Sequence, residues 1–156
     1  MPDASPTRIV ADADVLAADL LVGGASREAL DHVRSHSWLT LVASDALLDD
    51  AHAVVATLAD DDLADAWRDR AADATDRVDH DPGDHPGLAS AVHGDAAHLL
   101  SFDDDLGSVH AGMSVQPHAK LSVRPPDAFA RLFDAASLYE AEFDDAYPGP
   151  DVDPRA

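Results

Sequence analysis

Four short apolar runs alternate with stretches of helical spacing, and that alternation leaves few folds open to the chain. Arg8-Ile9-Val10-Ala11, Trp38-Leu39-Thr40-Leu41-Val42-Ala43, His98-Leu99-Leu100-Ser101 and Leu121-Ser122-Val123 each read as a strand. Between them apolar residues recur every three or four positions, as on a helix with one buried face. A first helix is expected through Leu16, Ala17, Leu20 and Leu21, stopped by Gly23-Gly24. Ser26 is read as the cap of a second, carrying Leu30 and Val33. Ser44 is read as the cap of a third, whose stripe is Leu47, Leu48, Ala51, Val54, Val55 and Leu58. Asp60 to Ala72, with Leu63 and Trp67, forms a fourth, and a fifth carries Leu88, Ala91 and Val92 to Gly94. Pro125-Pro126-Asp127 opens another helix with Phe129, Leu132 and Phe133. Asp73 to Pro86, rich in Asp, Gly and Pro, reads mostly as loop. The pattern implies an α/β fold of three layers, α/β/α, around a central parallel sheet of about four to five strands.

At 156 residues there is room for one core. The domain is placed at residues 1–134. Residues 135–156 are expected to be an acidic tail, helical around Leu138, Tyr139 and Phe143 and then disordered.

The charge is extreme: 31 Asp plus Glu against 10 Lys plus Arg, a net −21, with Lys120 the sole lysine. The acids are interleaved with apolar residues at helical spacing, which argues for a folded protein rather than a disordered one. Such a surface suits molar salt, where self-repulsion is screened within roughly 3 Å. The same screening removes the objection that so acidic a chain would avoid nucleic acid. With no cysteine, disulfides, thiolate zinc sites and cysteine nucleophiles are excluded. Met1 to Thr7 shows no export signal, and no apolar run reaches the ~20 residues of a membrane span. A soluble, cytoplasmic protein is expected.

In open parallel sheets, sites form beyond the carboxyl ends of strands. Two of the expected strands lead there into acid, at Asp12 and Asp103. Asp50, three residues after Leu47 and four before Val54, is read as sharing the apolar stripe of its helix, whereas Asp49 points to water. Asp84 precedes Leu88 by four, at the opening of the fifth helix. Four carboxylates facing one crevice would repel unless cations lay between them, and oxygen-only ligands favour Mg²⁺ or Mn²⁺. That chemistry suits phosphodiester hydrolysis by metal-activated water. The plainer alternatives are that Asp84 caps a helix and that Asp103 caps the turn from Asp104 to Gly107.

At these residues the chain resembles the PIN-domain family. Ile9-Val10-Ala11-Asp12-Ala13-Asp14-Val15-Leu16 is similar to its opening strand and Asp-x-Asp, and Leu48-Asp49-Asp50 to its Leu-x-Glu helix, with Asp for Glu. Asp84-His85-Pro86-Gly87-Leu88-Ala89-Ser90-Ala91 looks like its acid-opened helix with a small-residue face. Leu99-Leu100-Ser101-Phe102-Asp103-Asp104-Asp105-Leu106 is similar to its Thr-Gly-Asp-x-Asp-Leu turn, with Phe102 for a common Gly. Val123-Arg124-Pro125-Pro126-Asp127-Ala128-Phe129 looks like its closing strand, proline and helix. The resemblance runs from about Arg8 to Phe133. It implies a metal-dependent ribonuclease, in some members a toxin paired with an antitoxin, and commonly a homodimer. Carried over, Asp12, Asp50, Asp84 and Asp103 would hold Mg²⁺ or Mn²⁺ and catalyse, Asp14 and Asp105 would support them, and Ser101 would orient a ligand. RNA would be the substrate.

Two rivals stand beside this reading. Asp12-Ala13-Asp14-Val15 also resembles the first motif of haloacid-dehalogenase-like phosphatases, with Asp12 as nucleophile and Asp14 as acid/base. The other is a non-catalytic PIN-like binding module, and convergence of the four carboxylates would distinguish it from the enzyme. The histidines, including the i,i+4 pair His32 and His36, are read as mostly solvated, with His85 beside Asp84 the exception.

Overall fold

The computed structural model describes residues 5–103 and 121–155. Five strands form one all-parallel sheet: β1 (Ser5–Ala11), β2 (Thr40–Ser44), β3 (Asp76–Val78), β4 (Ala96–Leu100) and β5 (Ser122–Arg124). Seven helices are seen among the described residues: α1 (Ala13–Leu21), α2 (Gly24–Arg34), α3 (Asp45–Leu58), α4 (Asp61–Ala74), α5 (Pro86–His93), α6 (Pro126–Leu132) and α7 (Ala135–Phe143). The architecture is three-layered, α/β/α, as the alternation predicts. Ile9, Val10 and Ala11 are buried one after another. Consecutive burial is what a strand covered on both faces requires, and it explains why β1 reads as an unbroken apolar run.

Strand order is β3-β2-β1-β4-β5. β1 therefore lies in the middle, with Ile9 opposite Leu41 of β2 on one side and His98 of β4 on the other. The chain steps outward from β1 to β2 and β3, then returns across the sheet to β4 and β5. Connections diverge between β1 and β4, and beyond the carboxyl ends of strands at such a switch point is where open parallel sheets form their sites. Leu47, Leu48, Leu88, Leu99, Leu100 and Phe129 fill the core from both layers.

Several local expectations hold. Ser44 caps α3, its hydroxyl accepting from the Leu47 amide at 3.1 Å, and the fourth helix is present as α4, with Asp60 as its cap. Others are corrected. Ser26 does not cap α2 but lies buried within it; Gly23, at φ 82°, precedes the first turn. Only glycine takes that angle without strain, so the helix starts earlier than a polar cap would signal. β3 emerges from the stretch read as loop. Its three residues, Asp-Arg-Val, are too few and too polar to show alternation, and it forms through pairing with β2 and the 2.5 Å ion pair between Asp76 and Arg8.

The end of the chain is bound rather than disordered. The Asp151 and Val152 amides donate to the Ser35 carbonyl, and Arg155 pairs with Asp31 at 2.6 Å. The amide and hydroxyl of Ser37 both donate to Asp151, and the hydroxyl bond, followed by the amide bond, holds that carboxyl below the usual carboxylate range. Trp38 meets Tyr139 and Phe143 edge-on, fixing α7 against the body of the domain. No helix among the described residues is long and apolar enough to cross a membrane.

Candidate active site

Asp12 stands directly after β1, and its amide extends the ladder by donating to the Leu100 carbonyl of β4 at 2.8 Å. Its carboxylate then serves two neighbours. Oδ1 accepts from the Ala13 amide at 3.0 Å, capping α1, and Oδ2 accepts from the Ser101 hydroxyl at 3.0 Å. Ser101 follows β4 and is 3% exposed. Its oxygen also accepts from the Asp103 amide at 3.1 Å. One buried hydroxyl thus ties the ends of two strands together and fixes the Asp12 rotamer, while 18% of the Asp12 side chain stays exposed.

The start of α5 completes the wall. His85 is its N-cap: Nδ1 accepts from the amides of Gly87 and Leu88 at 3.1 and 3.3 Å. A ring nitrogen that accepts carries no hydrogen, so the neutral ring has its proton on Nε2. Nε2 lies 4.0 Å from Asp12 Oδ2. Gly87 permits the approach, because a Cβ there would come within 3.0 Å of Asp12 Oδ1 and 3.2 Å of His85 Cε1.

The structure thus brings together Asp12, Ser101 and the backbone of Asp103. It does not bring all four expected carboxylates to one point. Asp50 is exposed on α3. The buried stripe there runs through Leu47, Leu48, Ala51 and Val55, and Asp50 falls about a third of a turn to its side. Spacing from Leu47 and Val54 alone misplaced it, because Val54 is itself only half-buried. Asp84 is half-buried, its amide donating to the Asp81 carbonyl, and the capping role belongs to the next residue. Asp14 is exposed in the first turn of α1, where an acid favours the helix dipole. Asp105 lies outside the described residues. Among those described, no three acidic or histidine side chains are grouped to hold a metal ion.

Among the described residues most histidines are less solvated than expected. His36 is buried and bonds the Tyr147 hydroxyl at 2.6 Å, His32 the Ala130 carbonyl, and His52 pairs with Asp65. His80 Nε2 lies 2.8 Å from the Ser44 hydroxyl, and His98 stacks edge-on against Phe129. Gly87 is the site residue that the sequence pattern missed; His85, singled out there among the histidines, was not read as the helix cap that it is. A usable signal was present, since proline favours the first helical position and the cap is then the residue before Pro86.

The model of a family described as one of unknown function matches residues 3–155, nearly the full chain. No curated protein and no solved structure matches it.

Proposed function

The chain belongs to that family, DUF7384, and we propose that it is a divalent-metal-dependent ribonuclease of the cytoplasm acting at the β1–β4 crevice. The observation that carries this reading is the half-buried Asp12 carboxylate at the switch point of the sheet, its rotamer set by Ser101 and by the first turn of α1. A carboxylate fixed there, with one face open, suits a hard cation and an anionic substrate better than it suits a structural role alone.

Asp12 and Asp103, coupled through Ser101, are the residues that would hold Mg²⁺ or Mn²⁺. Two carboxylates suffice in principle, because Mg²⁺ commonly keeps several waters and takes its remaining oxygens from substrate phosphate. Asp50 and Asp84 are given no direct bond to the ion in this reading. When bound, the ion supplies Lewis-acid polarisation of the phosphate and a water made acidic enough to attack it. The protein's own contribution is positional. Ser101 keeps Asp12 Oδ2 directed, Gly87 leaves the carboxylate its space, and His85 turns an N–H toward the same oxygen.

The test is cleavage of a mixed RNA pool in molar KCl with Mn²⁺. Asp12→Asn is expected to fall to background while remaining folded, since Asn caps a helix about as well as Asp. Asp49→Asn loses only an exposed pair with Arg68 and is expected to cleave like the parent protein. Equal damage from both substitutions, or full activity in Asp12→Asn, would sink the assignment.

A further inference from the structure

Four of the nine arginines in this acidic chain, Arg27, Arg34, Arg70 and Arg155, line one cavity of about 470 Å³. It lies on the α1–α2–α4 side of the domain and shares no residue with the Asp12 crevice. Its floor is apolar, made by leucines of α1, β2 and α3 together with Trp67 of α4. Its size falls within the range of small-molecule sites, and its lining combines an apolar body with a few convergent polar groups, as such sites do.

Two features set this cavity apart from a surface of paired charges. Arg70 has no described side-chain partner, although acids outnumber bases 31 to 10 in the chain. Across the cavity, Arg34 is held by Asp19 and Asp31, and Arg27 donates to the Asp19 and Leu20 carbonyls. Those bonds fix both guanidinium groups while leaving further N–H donors unspent. The second feature is Asp19 itself. It is 8% exposed, yet its buried Oδ1 accepts no hydrogen bond and has only the Arg27 Nε at 3.9 Å. That oxygen is closed off from solvent, so Asp19 bears on the cavity by holding Arg34 and Arg27 at its wall.

The geometry points to a binding site for a small organic anion on an apolar body. Its carboxylate or phosphate meets Arg70 and the fixed arginines of α2, and its body lies on the leucines and Trp67. Arg155 brings the end of the chain, already tied to Asp31, into the same wall.

Indole-3-acetate has the required chemistry and is the probe, titrated in molar KCl and read from the indole N–H signals of the two tryptophans. Trp67 lines the cavity; Trp38 lies in the separate aromatic cluster with Tyr139 and serves as the internal reference. The Trp67 signal is expected to shift saturably while that of Trp38 stays in place. Arg70→Gln should weaken binding at least tenfold, about 1.4 kcal/mol. Arg131→Gln, exposed on α6 and outside the cavity, should bind unchanged. No saturable Trp67 shift, equal shifts at both tryptophans, or an unchanged affinity in Arg70→Gln would overturn the site.

Discussion

His98 lies half-buried on β4, edge-on to Phe129, with its Nδ1 buried and unbonded. Burial, and then the nearby Arg124 guanidinium, hold its pKa below the usual imidazole value of 6.5. The unfolded chain therefore takes up this proton more readily than the fold does. The stability concerned is present above the ordinary imidazole pKa and is lost as pH falls below it. The urea midpoint should drop between about pH 7.5 and about pH 5.5, and His98→Leu should flatten that drop. An equally steep drop in the variant would assign the effect to another group. At this scale the sequence disclosed the places of Asp12 and Ser101, because a residue ending a buried apolar run sits at the carboxyl end of a strand wherever that strand lies in the sheet. It did not disclose the engagement of His36, His80 or His98, whose partners Tyr147, Ser44 and Phe129 come from distant segments.

Helix boundaries follow steric rules that a hydrophobic pattern does not carry. Gly94 ends α5 at φ −94°, an angle open to any residue, so its requirement is space and not conformation. A Cβ there would overlap Val42 Cγ1 and lie 2.8 Å from the Ser90 carbonyl. Gly94→Ala is expected to destabilise by about 1–3 kcal/mol, because β2 and α5 are packed in direct contact. Gly83→Ala, where a Cβ would meet nothing within 4 Å, should be neutral or slightly stabilising. Denaturant midpoints for the pair check this, and comparable losses at both positions would refute it. The helices were legible because their apolar stripes are long. β3 was not, since three polar-flanked residues become a strand only when β2 is beside them, and the closing segment was not, since its anchors Ser35, Ser37 and Asp31 lie more than a hundred positions earlier.

Across the whole molecule the net charge of −21 is spread over a small surface, with nine arginines to 31 acids. Salt weakens those exposed pairs, each worth about 0–1 kcal/mol, but it screens the much larger sum of like-charge repulsions. Raising KCl from about 0.1 M to about 2 M should therefore raise the urea midpoint. A flat or falling midpoint would mean that repulsion does not limit stability. The central position of β1 bears on the order of assembly. The Asp12 to Ser101 bond joins residues 89 positions apart, across a strand that must be flanked on both sides. During synthesis the first strand has no β4 partner until most of the domain has been made, so the sheet closes late through non-local pairings, which are slow to form. The arrangement at the strand ends is thereby incomplete in the nascent chain: a half-made copy still tethered to its message has the Asp12 carboxylate but not the Ser101 hydroxyl that aims it.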